Sequence, residues 1–122
     1  MKVLLAIAFA TATAAAYADC PYPQAPTKLP DGATATLEQM VAGQKEVAAY
    51  QKAINDYTAC IDKELDDNIA KEGDKLKPKD KEQMQRMEAQ KHNAAVDQLQ
   101  SVADRFNEQV KVYKARTADK KG

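Results

Sequence analysis

Apolar residues recur with helical spacing through the middle of the chain: Met40, Val47, Tyr50, Ile54, Tyr57, Ile61, Leu65 and Ile69. Between Val47 and Ile61 the steps alternate three and four, a coiled-coil-like heptad stripe. They then become four and four, a local change of period. Thr36 and Gln39 have capping-box spacing, in which each side chain satisfies an orphan backbone N–H. Gly73 is a natural residue just past a helix end. Together these predict a helix over 36–73. Gly43 lies on the stripe, where its missing side chain permits close packing, although a helical glycine costs about 1 kcal/mol relative to alanine.

A second stripe reads Met84, Met87, His92, Ala95, Val96, Leu99, Val102, Ala103, Phe106, Val110 and Tyr113. Pro78 suits the first turn of this helix, where its missing N–H matters least. Lys114 and Arg116 suit the last turn, where cations meet the negative end of the helix dipole. The expected span is 78–116. Two long helices with a short connection become antiparallel neighbours. Folding the chain at its connection sets Ile54 near Leu99, Val47 near Phe106 and Tyr57 near Ala95. Large residues then oppose small ones, as an interdigitated seam requires.

The N-terminal pattern is different. After Met1 and Lys2, residues 3–16 carry no charge and are rich in Leu, Ile, Phe and Ala. A membrane-spanning helix needs about 20 apolar residues. This run has the length of a signal-peptide core, and Ala16 and Ala18 supply small residues at −3 and −1 of a cut between Ala18 and Asp19. Residues 1–18 are therefore expected to be a signal peptide. Asp19 before Cys20 does not suit lipid attachment. Residues 19–35 hold Pro21, Pro23, Pro26 and Pro30. Proline fixes φ and lacks an N–H, so this segment is expected to be an extended, polyproline-like arm. Asp31-Gly32 marks a turn near its end. The remaining tail, 118–122, is expected to be disordered.

Removing 18 of the 122 residues takes away Lys2, which leaves 17 basic against 18 acidic residues. This near-neutral balance argues against bulk nucleic-acid binding, which draws on a basic surface. No second hydrophobic span occurs, so no transmembrane anchor is expected. The cysteines are Cys20 and Cys60. Two cysteines in an exported chain most often pair. A link between copies and a metal or catalytic use are the alternatives. Reach permits pairing within the chain. From Thr36 to Cys60 the helix rises about 36 Å, and the arm can extend about 50 Å. Such a disulfide would close a loop of about 40 residues and add roughly 4 kcal/mol of stability. The reading is thus all-α: a long antiparallel hairpin over 36–117, with a proline-rich N-terminal arm stapled by the disulfide.

Candidate chemistry is sparse. Tyr50 and Tyr57 suit core packing better than ligand stacking, and Met84 and Met87 suit packing better than metal binding. His92 is the sole histidine and Ser101 the sole serine of the mature chain. They lie about 13 Å apart by helical rise, too far for a nucleophile and base to meet. Asp62, Glu64, Asp66, Asp67, Glu72 and Asp74 alternate with Lys63, Lys71 and Lys75, as on a solvated hairpin tip. They lack the oxygen-ligand spacing of a calcium loop. No catalytic, cofactor or metal residues are assigned. The basic residues between Lys111 and Lys121 could make a weak contact with an anionic envelope surface. The stripe Leu99, Val102, Phe106, Val110 and Tyr113 is the expected interaction face.

Cys20, Pro23, Pro30-Asp31-Gly32, Met40, Val47, Tyr50, Tyr57, Cys60, Asn93-Ala94-Ala95-Val96 and Phe106-Asn107 extend over most of the mature chain. In these residues it resembles a group of uncharacterised small exported helical proteins of Gram-negative bacteria with a cysteine pair. The resemblance implies a periplasmic setting and an intact pair, and no activity. Small periplasmic stress chaperones are also helical hairpins, but their repeated Leu-Thr-x-x-Gln element is missing here. The functional expectation is a periplasmic or secreted, non-enzymatic interaction protein that engages a protein partner or itself. The alternative is a structural homodimeric four-helix bundle in the cell envelope.

Overall fold

Thr36 starts the first helix as its spacing predicts. Its hydroxyl accepts from the Gln39 N–H at 3.2 Å, and the Gln39 side chain accepts from the Thr36 N–H at 2.8 Å. In the computed structural model, which describes residues 20–121, this helix, α1, runs Leu37–Glu72. The expected signal segment, with Ala18 and Asp19, lies outside the described residues. At the far end Gly73 takes φ 54° and donates its N–H to the Ile69 carbonyl. A positive φ favours glycine, so the residue that ends the helix is the one best able to do so. A 3₁₀ turn at Gly73–Lys75 and an extended Leu76 complete the reversal.

The second helix, α2, runs Pro78–Ala118 with proline in its first turn. The Lys77 carbonyl accepts from both the Asp80 and Lys81 N–H groups at 3.0 Å. At 1.5 Å per residue, the 36 residues of α1 and the 41 of α2 make rods of about 54 and 62 Å. The chain end departs from expectation. The helix continues to Ala118 and Asp119–Lys121 forms a 3₁₀ turn, where a disordered tail was expected from residue 118. The reason is local anchoring. Arg116 reaches back to the arm, and the Thr117 hydroxyl donates to the Tyr113 carbonyl at 2.9 Å.

Two clusters make the core. The first joins Tyr50, Ile54, Tyr57 and Ile61 of α1 to Ala95 and Val102 of α2, with Val47 and Leu99 packed beside them. The second joins Ala35, Met40 and Phe106, with Leu29, Val47, Val110 and Tyr113 alongside. The expected neighbours Ile54 and Leu99, Tyr57 and Ala95, and Val47 and Phe106 thus share clusters. Ile54 and Val102 are the largest fully buried side chains. Each removes enough apolar surface from water to contribute about 1.5–3 kcal/mol. Among the described residues no polar or charged residue is buried.

The arm is the third layer. It leaves Cys20, which is bonded to Cys60 with a Cα–Cα separation of 5.8 Å, and runs back along α1 toward Thr36. Tyr22 meets Tyr57 edge to face at 5.1 Å between ring centroids. Ala25 packs on the first core cluster and Leu29 on the second. Pro30 lies over Gly43: a Cβ there would come within 2.6 Å of the proline ring and 3.0 Å of Phe106. The close packing expected at Gly43 is therefore with the arm as well as with α2.

Candidate functional site

The sequence-expected interaction face turns inward. Val102 and Phe106 are buried, and Leu99, Val110 and Tyr113 are half-buried against the core clusters. The expectation of an open stripe is corrected in this respect: a two-helix seam with an arm laid over it consumes these side chains as core. The apolar residues left in contact with solvent are others. Leu37 is 63 % exposed and Val41 40 %, one turn apart on α1, and Met87, Val96 and Val112 are exposed on α2.

Cys20 and Cys60 are brought together as expected. The Glu64 carboxylate lies 3.5 Å from the Cys20 sulfur. Beside the bond an open cleft of about 380 Å³ is lined by Lys63, Glu64, Asp67 and Asn68 as well as by both cysteines. A second cleft, about 450 Å³, opens between the arm and α1, with Pro23, Gln24 and Pro26 on one side and Glu46, Ala49, Tyr50 and Ala53 on the other. The Tyr50 hydroxyl is buried there without a hydrogen bond of ordinary geometry. Burial pushes its phenol pKa up, and the neighbouring Tyr22 adds to the effect.

The other end of the arm is clasped by groups that the sequence pattern did not mark. Asp31 caps its own turn, its carboxylate accepting from the Ala33 N–H at 2.9 Å and its carbonyl from the Ala35 N–H at 2.7 Å. This presents the Gly32 N–H to the Gln109 side-chain oxygen at 2.9 Å. The Arg116 guanidinium donates to the Gly32 carbonyl at 3.1 Å and to the Ala35 carbonyl, and it lies over the Tyr113 ring at 5.2 Å. Arg116 lies in the last turn of α2, where its charge suits the helix dipole. Its position in the last turn also aims it at the carbonyls of the arm. Asp31-Gly32 signalled the turn, but nothing in the local sequence signals its partner on α2.

At the hairpin tip, Glu88 of α2 faces Asp62 and Asp66 of α1. One Glu88 carboxylate oxygen is buried and has no hydrogen-bond partner. The carboxyl contact with Asp62 and partial burial hold the Glu88 pKa above its ordinary value, with Asp66 adding to this and His92 opposing it. His92, one turn along α2, is half-buried, and Ser101 is exposed on the same helix. Met84 is half-buried and Met87 is 51 % exposed, so only the first behaves as a packing residue. The solvated tip has the expected pairs four apart, such as Lys63 with Asp67 and Glu82 with Arg86. All of these are well exposed, so solvent and salt screen their attraction. Among the described residues no group of three or more His, Cys, Asp or Glu side chains is arranged to hold a metal ion.

A disulfide between two helical-protein cysteines suits a non-reducing compartment. Among the described residues no helix is long and apolar enough to cross a membrane. No protein-family model, curated protein or solved structure matches the chain.

Proposed function

We propose that the chain is an exported, non-enzymatic helical interaction protein of a Gram-negative envelope, periplasmic or secreted. The observation that carries this reading is the apolar surface that remains after α1, α2 and the arm have packed. Leu37 and Val41 are exposed one turn apart, on a helix whose own core stripe is already occupied. Adjoining exposed apolar residues can form part of a partner-binding surface. The apolar leader and the Cys20–Cys60 pair support export. The resemblance in Cys20, Pro23, Tyr50, Tyr57 and Cys60 supports the Gram-negative periplasm as the compartment.

Photo-crosslinking residues placed singly at Leu37, Val41, Val96 and Val112 are expected to trap one recurrent protein in cells, identified by mass spectrometry. Failure at all four positions would sink the reading. A second reading, the homodimeric four-helix bundle, is supported by the same Leu37–Val41 pair, since a self-complementary contact needs an apolar face on each copy. Crosslinks between copies, together with a dimer mass in light scattering, would favour it.

A further inference from the structure

The core ends before the hairpin does. Past Ile61 on α1 and before Ala95 on α2, Leu65, Ile69 and Met84 are half-buried and Met87 is exposed. Between the helices an open cavity of about 140 Å³ takes the place of packed side chains, with Leu65, Met84 and Met87 in its lining. Apolar contact therefore does little to hold this stretch shut. At the Ile61 end the helices are fastened, because Cys60 carries the disulfide and Tyr57 and Ile61 belong to the core.

Glu88 also lines the cavity, and its contact across the seam is with Asp62, a second acid. Two carboxylates offer four acceptor oxygens and no donor. Ionised, the pair combines like-charge repulsion with a desolvated acceptor, and each disfavours the contact. With one proton, a carboxyl O–H donates to the opposite carboxylate, and both penalties give way to a charge-assisted hydrogen bond. Asp66 and Glu64 of α1 add negative charge beside the pair, while Lys91 and His92 stand near it on Glu88's own helix. From none of these does the buried Glu88 oxygen receive a hydrogen bond.

We propose that Glu88 and Asp62 form a proton-operated clip: one shared proton fastens α1 to α2 in the outer third of the hairpin, and its loss lets residues 62–72 and 78–91 loosen while the base stays folded. This goes beyond the interaction-protein reading and does not rest on it. Closing takes one proton from solvent, and opening returns it. The closed state holds that proton more tightly than the open one, so closure is complete at acid pH and is lost as pH rises through the closed-state pKa. The helices stay joined at Gly73–Lys75, so loosening takes the form of unwinding toward the connection. A change of pH is thereby turned into local order or disorder, with the Cys20–Cys60 loop intact.

The test is nuclear magnetic resonance on the full chain with its disulfide oxidised, titrated from about pH 4 to about pH 8, a range that begins near the ordinary carboxyl values. Carboxyl-carbon shifts report the protonation of Glu88 and Asp62, and Cα shifts report helix. As pH rises, the Cα shifts of residues 62–72 and 78–91 are expected to move toward coil values along the curve of the Glu88 carboxyl. Those around Ile54 and Val102 are expected to stay helical. Glu88→Gln and Asp62→Asn each set an amide donor opposite the remaining carboxylate at every pH. In both variants the outer third is therefore expected to stay helical throughout. Titration of Glu88 without movement of the Cα shifts overturns the clip. So does parallel loss of helix around Ile54 and Val102, which is global unfolding, and so does movement that persists in either variant. Should one variant lose its helices altogether, the other decides. None of these outcomes depends on crosslinks at Leu37 and Val41, so the clip and the interaction reading fail separately.

Discussion

Gly32 shows how much one missing side chain can carry. A Cβ at this position would meet the Gln109 carbonyl oxygen at 2.0 Å and the Tyr113 nitrogen at 2.8 Å. Both are helix backbone and cannot swing aside. Gly32→Ala should therefore lift the arm off α2 and lower stability by about 1–3 kcal/mol, the usual cost of overpacking, as measured by chemical denaturation. An unchanged denaturation midpoint would mean that the clasp contributes nothing to folding. Asp31-Gly32 was legible as a turn because aspartate and glycine are local signals. Its acceptor was not, since Gln109 stands 77 positions along the chain and no short-range pattern encodes that distance. Gly73 was fully legible, and its φ of 54° gives the physical reason.

At the level of elements, periodicity located both helices to within a residue or two, because caps and prolines punctuate them. It did less well on exposure. Leu99 to Tyr113 reads as one apolar face, and the spacing cannot say whether a partner or the chain's own arm covers it. The arm has no period at all, and its course follows from one covalent bond and a few ring contacts. Cys60→Ser removes that bond. The chain-entropy relation for a 40-residue separation predicts a loss of about 4 kcal/mol. Far-ultraviolet circular dichroism at low temperature should change little, since the helices draw on the Ile54–Val102 core. A large loss of helix would show that the arm nucleates the hairpin rather than reinforcing it.

For the molecule as a whole, protonation at the tip links the two helices. The folded state holds the Glu88 proton more tightly than the unfolded state, mainly through its contact with Asp62. The resulting stability is fully present below the unfolded pKa of glutamate and is lost as pH rises through the higher folded value. The thermal midpoint should therefore rise as pH falls from neutral toward the ordinary glutamate range. Asp62 and Asp66 face Glu88 across the seam and raise its pKa, and His92 on its own helix opposes the shift. Glu88→Gln should raise the midpoint at neutral pH and flatten this slope. A slope equal to wild type would place its origin elsewhere.

The arm covers α1 only as far as Cys60, and the buried side chains stop there too. On α1 none lies beyond Ile61, and on α2 none precedes Ala95. The outer third of the hairpin is thus a bare helix pair joined to a reinforced base. Local opening free energies follow buried contacts, so amide hydrogens from about Asp62 to Lys91 should exchange much faster than those around Ile54 and Val102. Uniform exchange rates would contradict this. Trypsin should cut first among Lys71, Lys75, Lys79 and Lys81, since the Lys77–Pro78 bond resists it. A single cut there would leave the Cys20–Cys60 loop closed and the arm clasped to α2, so that the two fragments stay together as a nicked molecule.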